Sequence, residues 1–235
     1  MDQALFHLIN QRWTNSVLDL FMAAVSNVEI WKPFLVLAGL SVLIWGGFHG
    51  RAFIICVLIC LLVSENVTNL LKTFVDRRRP KQVQAVRMIE LQKARPEFLT
   101  VFKKPRIRFS DQSDQNRSGP SFPSGHTTNN TVIAVCCTLF FRRRGWLYWF
   151  VTASIAYSRI YLGAHWPSDV IGTLFLAAGE TVLILAALEW LWPRFGRRWF
   201  PRLCQAHPSL LFEHEHRSGA SRGRNRPTAN RLHQP

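Results

Sequence analysis

The chain has 235 residues, 48% of them hydrophobic, with 9 Trp and 17 Phe, yet its formal net charge is +15. A nucleic-acid binder would be as basic but would not need uninterrupted apolar runs of membrane length. The composition fits one small integral membrane domain with basic loops. Of the five cysteines, Cys56, Cys60, Cys136 and Cys137 sit in apolar runs, Cys204 stands apart, and none shows zinc-ligand spacing. The first four read as small buried hydrophobes.

Residues 1–29 alternate between apolar and polar at helical spacing. Leu5, Phe6, Ile9 and Trp13 share one face, and Leu18, Phe21, Met22 and Val25 share another. Asn15 and Ser16 mark a break and a new cap between them. Asp2, Asn10, Gln11, Arg12 and Asp19 make this segment a poor membrane span, so an interfacial helix pair is predicted. The segment also lacks the basic start and smooth apolar core of a cleavable signal peptide.

Residues 33–48 are uncharged and apolar and form the first predicted span; 49–51 make a tight turn, and 52–71 form the second span. Glu65, Asn66 and Asn69 fall in the last two turns of that span. Polar groups inside a span usually face the protein, which makes Glu65 a structural hydrogen-bonding group or a support for a site. A long polar connection covers residues 72–126, with a charged insertion at 81–120 of a length that is either functional or disordered.

Residues 127–141 form the third span, ended by Arg142-Arg143-Arg144-Gly145; 146–157 begin the fourth, and 170–192 form the fifth, interrupted by Glu180 and ended by Pro193. The fold class is therefore all-α, an integral membrane helical bundle of about five transmembrane helices plus N-terminal interfacial helices. Residues 1–193 make the membrane domain, and 194–235 read as a basic, disordered tail.

Alternating the spans brings the polar segments at 72–80, 123–126 and 158–169 to one membrane face. The Arg142–Arg144 turn and the tail fall on the other. Sixteen Lys and Arg lie on the first face and thirteen on the second, so the total alone does not decide orientation. The dense arginine turn beside the spans places the second face in the cytoplasm.

Chemistry concentrates on the first face. In residues 158–169, Arg159, His165 and Asp169 lie together, and Trp166-Pro167-Ser168-Asp169 reads as a helix start with Pro167 in its first turn. A carboxylate there can accept a hydrogen bond from one imidazole nitrogen, leaving the other free to attack. The stretch taken alone fits equally well a loop histidine beside a helix-capping aspartate. Lys72 and Arg79 flank a spacer, and Ser124, Gly125 and His126 open the third span. Two arginines, a lysine, a hydroxyl and exposed amides at a helix start form an anion cradle, and two histidines allow one nucleophile and one proton donor. No carboxylate cluster of the kind that holds Mg²⁺ accompanies them, and cationic side chains can neutralise phosphoryl charge without a metal.

The pattern Lys-x6-Arg-Pro, Pro-Ser-Gly-His and Ser-Arg-x5-His-x3-Asp, complete at Lys72–Pro80, Pro123–His126 and Ser158–Asp169, resembles the type 2 phosphatidic acid phosphatase family. The resemblance covers roughly residues 52–190. It implies a cofactor-free helical membrane phosphatase working through a phosphohistidine. His165 would be the nucleophile, Asp169 its orienting partner and His126 the acid that protonates the leaving oxygen. Lys72, Arg79, Ser124, Gly125 and Arg159 would hold the phosphoryl oxygens, with no metal. The implied substrate is a membrane lipid phosphate or pyrophosphate of the phosphatidate, phosphatidylglycerophosphate, undecaprenyl pyrophosphate or lipid A type. The implied location is a bacterial inner membrane with the site facing the periplasm. Phosphotransfer to a hydroxyl would use the same intermediate; a non-catalytic membrane scaffold would not need both histidines with their partners.

Overall fold

The structure is a computed structural model that describes residues 1–92, 94–116 and 119–212. The chain opens with α1 (Asp2–His7), which continues through a π-helical turn (Leu8–Arg12), then α2 (Ser16–Ser26), α3 (Val28–Trp45) and α4 (Phe48–Val75). The insertion holds α5 (Pro80–Val83), β1 (Arg87–Glu90), a 3-10 helix (Glu97–Phe102), β2 (Arg106–Phe109) and α6 (Gln112–Asn116). The second half is α7 (Gly125–Gly145), α8 (Tyr148–Tyr161), α9 (Pro167–Trp199) and α10 (Pro201–Ala206). Together they form an integral membrane helical bundle.

Among the described residues α3, α4 and α9 are long and apolar enough to cross a membrane. Helix α7 is more polar because it packs against α4, α8 and α9. It buries Thr127, Thr128 and Thr131 together with Val132, Val135 and Phe140. Its buried hydroxyls find partners within the helix and across to α4: Thr131 Oγ1 donates to the Thr127 carbonyl at 2.7 Å, and Thr128 Oγ1 accepts from Thr68 at 3.4 Å. A helix walled by protein does not need an apolar surface on those sides. The hairpin between α7 and α8 turns at Arg142, which has φ 49. Gly145 is required there, since a Cβ on it would lie 1.8 Å from the Cys137 carbonyl oxygen. Cys56, Cys60, Cys136 and Cys204 are buried and Cys137 half-buried, all as free thiols.

The N-terminal helices are anchored to the bundle by the polar residues that argue against their spanning it. Asn15 caps α2, accepting from the Leu18 amide at 2.8 Å. Phe6, Ile9 and Met22 enter a core with Val86, Ile160, Tyr161, Trp166 and Val170. Asn10 is fully buried and donates to the carbonyls of Arg87 and Tyr161 at 2.9 and 2.7 Å. Asp19, only 2% exposed, accepts a two-pronged contact from Arg87 at 2.8 and 2.6 Å and the Tyr161 hydroxyl at 2.6 Å. A buried carboxylate is tolerable only with such partners. These bonds fasten β1 and the end of α8 to the N-terminal helices.

The insertion, left open by the sequence, is folded: β1 and β2 pair antiparallel from Arg87↔Phe109 to Glu90↔Arg106, a small strand element in an otherwise helical chain. Arg108 ties it together by donating to Glu90 at 2.6 Å and to Asp114. Three expectations are corrected: the inward-facing Glu65, the end of the fifth span at Pro193 and the disorder of the tail from residue 194. Glu65 is exposed on α4 and does not face inward; its charge bears on Lys72. The fifth span does not stop at Pro193, because α9 runs on to Trp199. The segment after it folds back: Trp192 donates to the His207 carbonyl at 2.8 Å, Phe48 stacks on His207, and Leu211 joins a core with Cys56, Val135 and Phe140. The apolar residues of 194–212 are clustered, and averaging over the whole basic tail hides them. The rest of the predicted disordered tail lies outside the described residues.

Candidate active site

Each motif is positioned by the end of a helix. Helix α4 delivers Lys72 in its last turn and stops at Asp76, whose φ of 38 turns the chain toward Arg79. The Arg79 guanidinium donates to three carbonyls: Gly119 at 2.9 Å, Pro120 at 3.2 Å and Ala164 at 3.4 Å. Those contacts join the first and third motifs to the segment that leads into the second and fix the cation in place before any anion arrives.

Ser124 caps the start of α7. It is fully buried, its amide donates to Thr173 Oγ1 at 3.0 Å, and its hydroxyl accepts from Thr127 at 3.0 Å. Gly125 and His126 follow in the first turn, half-buried. The backbone of Ser26 in α2 and the charges of Arg159, Arg79 and Lys72 all bear on the His126 ring.

Helix α8 carries Arg159 in its last turn and ends at Tyr161. The chain reverses at Gly163, whose φ of 71 suits glycine. A Cβ there would also lie 2.9 Å from Val86 Cγ2. The turn brings the amides of Ala164 and His165 back to the Arg159 carbonyl at 3.0 and 3.2 Å. Arg159 is 9% exposed, and its Nε has no hydrogen-bond partner.

His165, 4% exposed, is held by Nδ1 against the Ser121 carbonyl at 2.6 Å. A carbonyl only accepts, so Nδ1 carries the proton and Nε2 keeps its lone pair. Burial first, then the charges of Arg79 and Arg159, push the imidazole well below its ordinary pKa, with the Ser121 carbonyl opposing. The ring is therefore neutral and nucleophilic at neutral pH.

The expected direct contact between Asp169 and His165 is not formed. Asp169 Oδ2 accepts from the Ser121 hydroxyl at 2.5 Å and the Trp166 amide at 3.0 Å, and Oδ1 accepts from Arg77 at 2.6 Å. The carboxylate thus reaches the imidazole through Ser121. Its helix-start position makes it a capping group for Trp166, and the cap geometry turns it away from the ring. Arg77 in turn donates to Asp2 at 2.7 Å, and Asp2 also accepts from the Ser168 amide and hydroxyl at 3.0 and 2.6 Å. Sequence reasoning missed Ser121, Arg77 and Asp2. Arg77 stood in view in the arginine run before Pro80, but nothing in its spacing distinguishes it from Arg78.

The structure brings Lys72, Arg79, His126, Arg159 and His165 into one electrostatic cluster, with Ser124 and Gly125 at its edge. Among the described residues no three His, Cys, Asp or Glu side chains gather as metal ligands. An apolar groove of about 520 Å³ leads away from His126 between α2–α3 and α7–α8, walled by Phe21, Val25, Leu35, Val151 and Ile155.

Residues 53–193 match the PAP2 superfamily. The chain belongs to that superfamily. The matched region carries all three motifs, whereas Asp2 and Ser26 lie before it. Among PAP2 relatives, the lipid A 4'-phosphatase of Porphyromonas gingivalis is 28% identical over 211 residues, 88% of this chain and 73% of that protein. The undecaprenyl-diphosphatase BcrC of Bacillus subtilis is 39% identical over 57 residues, 24% of this chain and 30% of that one. The crystal structure of Aquifex aeolicus LpxE superposes with a TM-score of 0.56 at 20% identity, covering 79% of this chain and 94% of that one. That likeness establishes a shared fold.

Proposed function

We propose that this PAP2 protein is a membrane lipid phosphatase that passes the phosphoryl group of a lipid phosphate or diphosphate to His165 and then to water. The observation that carries the reading is the Nδ1 contact of His165 with the Ser121 carbonyl, which leaves Nε2 as a nucleophile near the charges of half-buried Arg79 and buried Arg159. Among the described residues Lys72, Arg79 and Arg159 form no ion pair with a carboxylate, and a phosphoryl anion supplies that counter-charge. The Nε2–P bond forms as the bond from phosphorus to the lipid oxygen breaks. His126 gives its proton to that oxygen and then takes one from the water that cleaves the phosphohistidine. Arg79, held by three carbonyls, costs no reorganisation at that moment. The apolar groove at His126 suits the lipid part of the leaving group.

The named activities of the relatives in Porphyromonas gingivalis and Bacillus subtilis support a lipid substrate. The Arg142–Arg144 turn supports a bacterial inner-membrane protein with the site on the periplasmic face. The test is phosphate release by the purified protein in detergent from phosphatidate, phosphatidylglycerophosphate, undecaprenyl diphosphate and a lipid A-type phosphate. Quenching with ³²P-labelled substrate should trap an acid-labile, base-stable phosphoprotein that is lost in His165→Ala. Turnover without any such species would reject the covalent route.

A further inference from the structure

The folded insertion turns a group of large apolar side chains outward. In the 3-10 helix (Glu97–Phe102) three residues make a turn, so side chains three apart share a face. Thr100 fixes which face points inward. It is buried, its Oγ1 accepts from the Ala94 amide at 3.2 Å, and its carbonyl accepts from the Lys103 amide at 3.2 Å. Glu97 shares that face, and both line a cavity with Asn27 and Glu29 at the start of α3. The remaining faces leave Phe98, Leu99 and Phe102 exposed, Phe102 at 84%.

A loop surrounded by water gains nothing from presenting three such side chains together, and an apolar patch of this kind marks a surface that is covered. Its neighbours say by what. The 3-10 helix packs against α3, one of the helices long and apolar enough to cross the membrane. The first turns of α3 expose Trp31, Phe34 and Leu35, so the apolar tip adjoins the lipid-facing surface of that helix where it enters the bilayer. Tryptophan is the residue type that gathers at that boundary. Charge points the same way. Residues 94–106 hold Arg95, Lys103, Lys104 and Arg106, all exposed, against one carboxylate, Glu97, which lies on the cavity face. Apolar side chains flanked by cations are suited to the interface of a membrane that contains anionic lipid.

We infer that this tip anchors the insertion in the membrane. Phe98, Leu99 and Phe102 enter the boundary between headgroups and acyl chains, in the leaflet on the active-site side. Arg95, Lys104 and Arg106 lie against the phosphates of anionic phospholipids. The anchor is independent of any reaction at His165.

The experiment labels Phe102→Cys and Phe98→Cys with an environment-sensitive fluorophore. Each is placed one copy per nanodisc, in phosphatidylcholine with or without phosphatidylglycerol. Gln112→Cys, exposed on α6 of the same insertion, is the control, and the unsubstituted protein labelled in parallel accounts for the native cysteines. A lipid carrying a nitroxide near the top of its acyl chain should quench the tip labels about twofold or more, while aqueous iodide should not reach them; the control should show the reverse. Phosphatidylglycerol should increase the quenching at the tip, and Arg95→Gln together with Lys104→Gln should abolish that increase. Thermal melting checks that each variant folds. Tip labels reached by iodide and not by the nitroxide lipid would put the hairpin in water and overturn the anchor. Tip labels shielded from both quenchers would mean that protein covers the patch and would overturn it equally. Quenching that is the same with and without phosphatidylglycerol would overturn the contact with anionic lipid.

Discussion

The link from Asp169 through Ser121 to His165 can be broken at either end. Ser121 is fully buried; its hydroxyl donates to Asp169 at 2.5 Å and its carbonyl accepts from His165 at 2.6 Å. Its amide separately donates to the Arg77 carbonyl at 2.6 Å, so Ser121→Ala loses the hydroxyl bond without freeing the backbone. A hydrogen bond to a charged group contributes about 1.5–3 kcal/mol. Spent on holding the carbonyl in place, that is about a 10- to 150-fold fall in kcat/KM. Asp169→Asn keeps the shape but removes the charge that receives the same hydroxyl, and it should cost at least as much. Both substitutions cut one bond, so the double variant should be no worse than the worse single. The coupling should then be about 1.5–3 kcal/mol, well above the roughly 0.5 kcal/mol within which independent sites add. The assay is phosphate release by the four proteins of the cycle, with folding checked by thermal melting in detergent. Additive losses would refute the reasoning. So would a harmless Ser121→Ala beside an inactive Asp169→Asn, the signature of a carboxylate that touches the imidazole directly.

General acid catalysis by His126 contributes about 10² to 10⁴ in rate, and His126→Ala should therefore damage turnover of a lipid monophosphate far more than that of p-nitrophenyl phosphate, whose leaving group hardly needs a proton. Equal losses on both, with aryl phosphatase activity surviving in His165→Ala, would mean that the histidines exchange roles. The depressed pKa of His165 has a definite sign: the folded ring stays neutral as pH falls through about 6.5, where an unfolded histidine takes a proton. Its acid limb in kcat/KM should lie well below 6.5, and its contribution to stability should fall as pH drops below that value; an acid limb at 6.5 or above that is traced to His165 would count against the burial argument. Gly163→Ala combines a left-handed φ of 71 with a contact 2.9 Å from Val86, and should lower stability by about 1–3 kcal/mol in a melt with a matching loss of activity. A membrane-impermeant thiol reagent should label Gln115→Cys in intact cells and spare Arg143→Cys; the reverse would place the site in the cytoplasm.

The sequence by itself determined the helical membrane class and the residues of the three motifs. Apolar runs report a bilayer because lipid cannot satisfy a bare backbone. Motif spacing reports local turns, so His165 and Asp169 were legible as neighbours at a helix start. Spacing could not say that a Ser121 hydroxyl would stand between them, since that residue arrives from a segment 44 positions away from His165. The same limit hid the Arg77–Asp2 link, which spans 75 positions, and the pinning of β1 by Asn10 across 77. Helix α7 is polar in composition because protein walls it, and that wall exists only once α4, α8 and α9 pack around it. Whether Asp19 lies in water or in a core was likewise decided by Arg87 and Tyr161, the partners that tertiary structure brings within bonding distance of a charge that could not otherwise be buried.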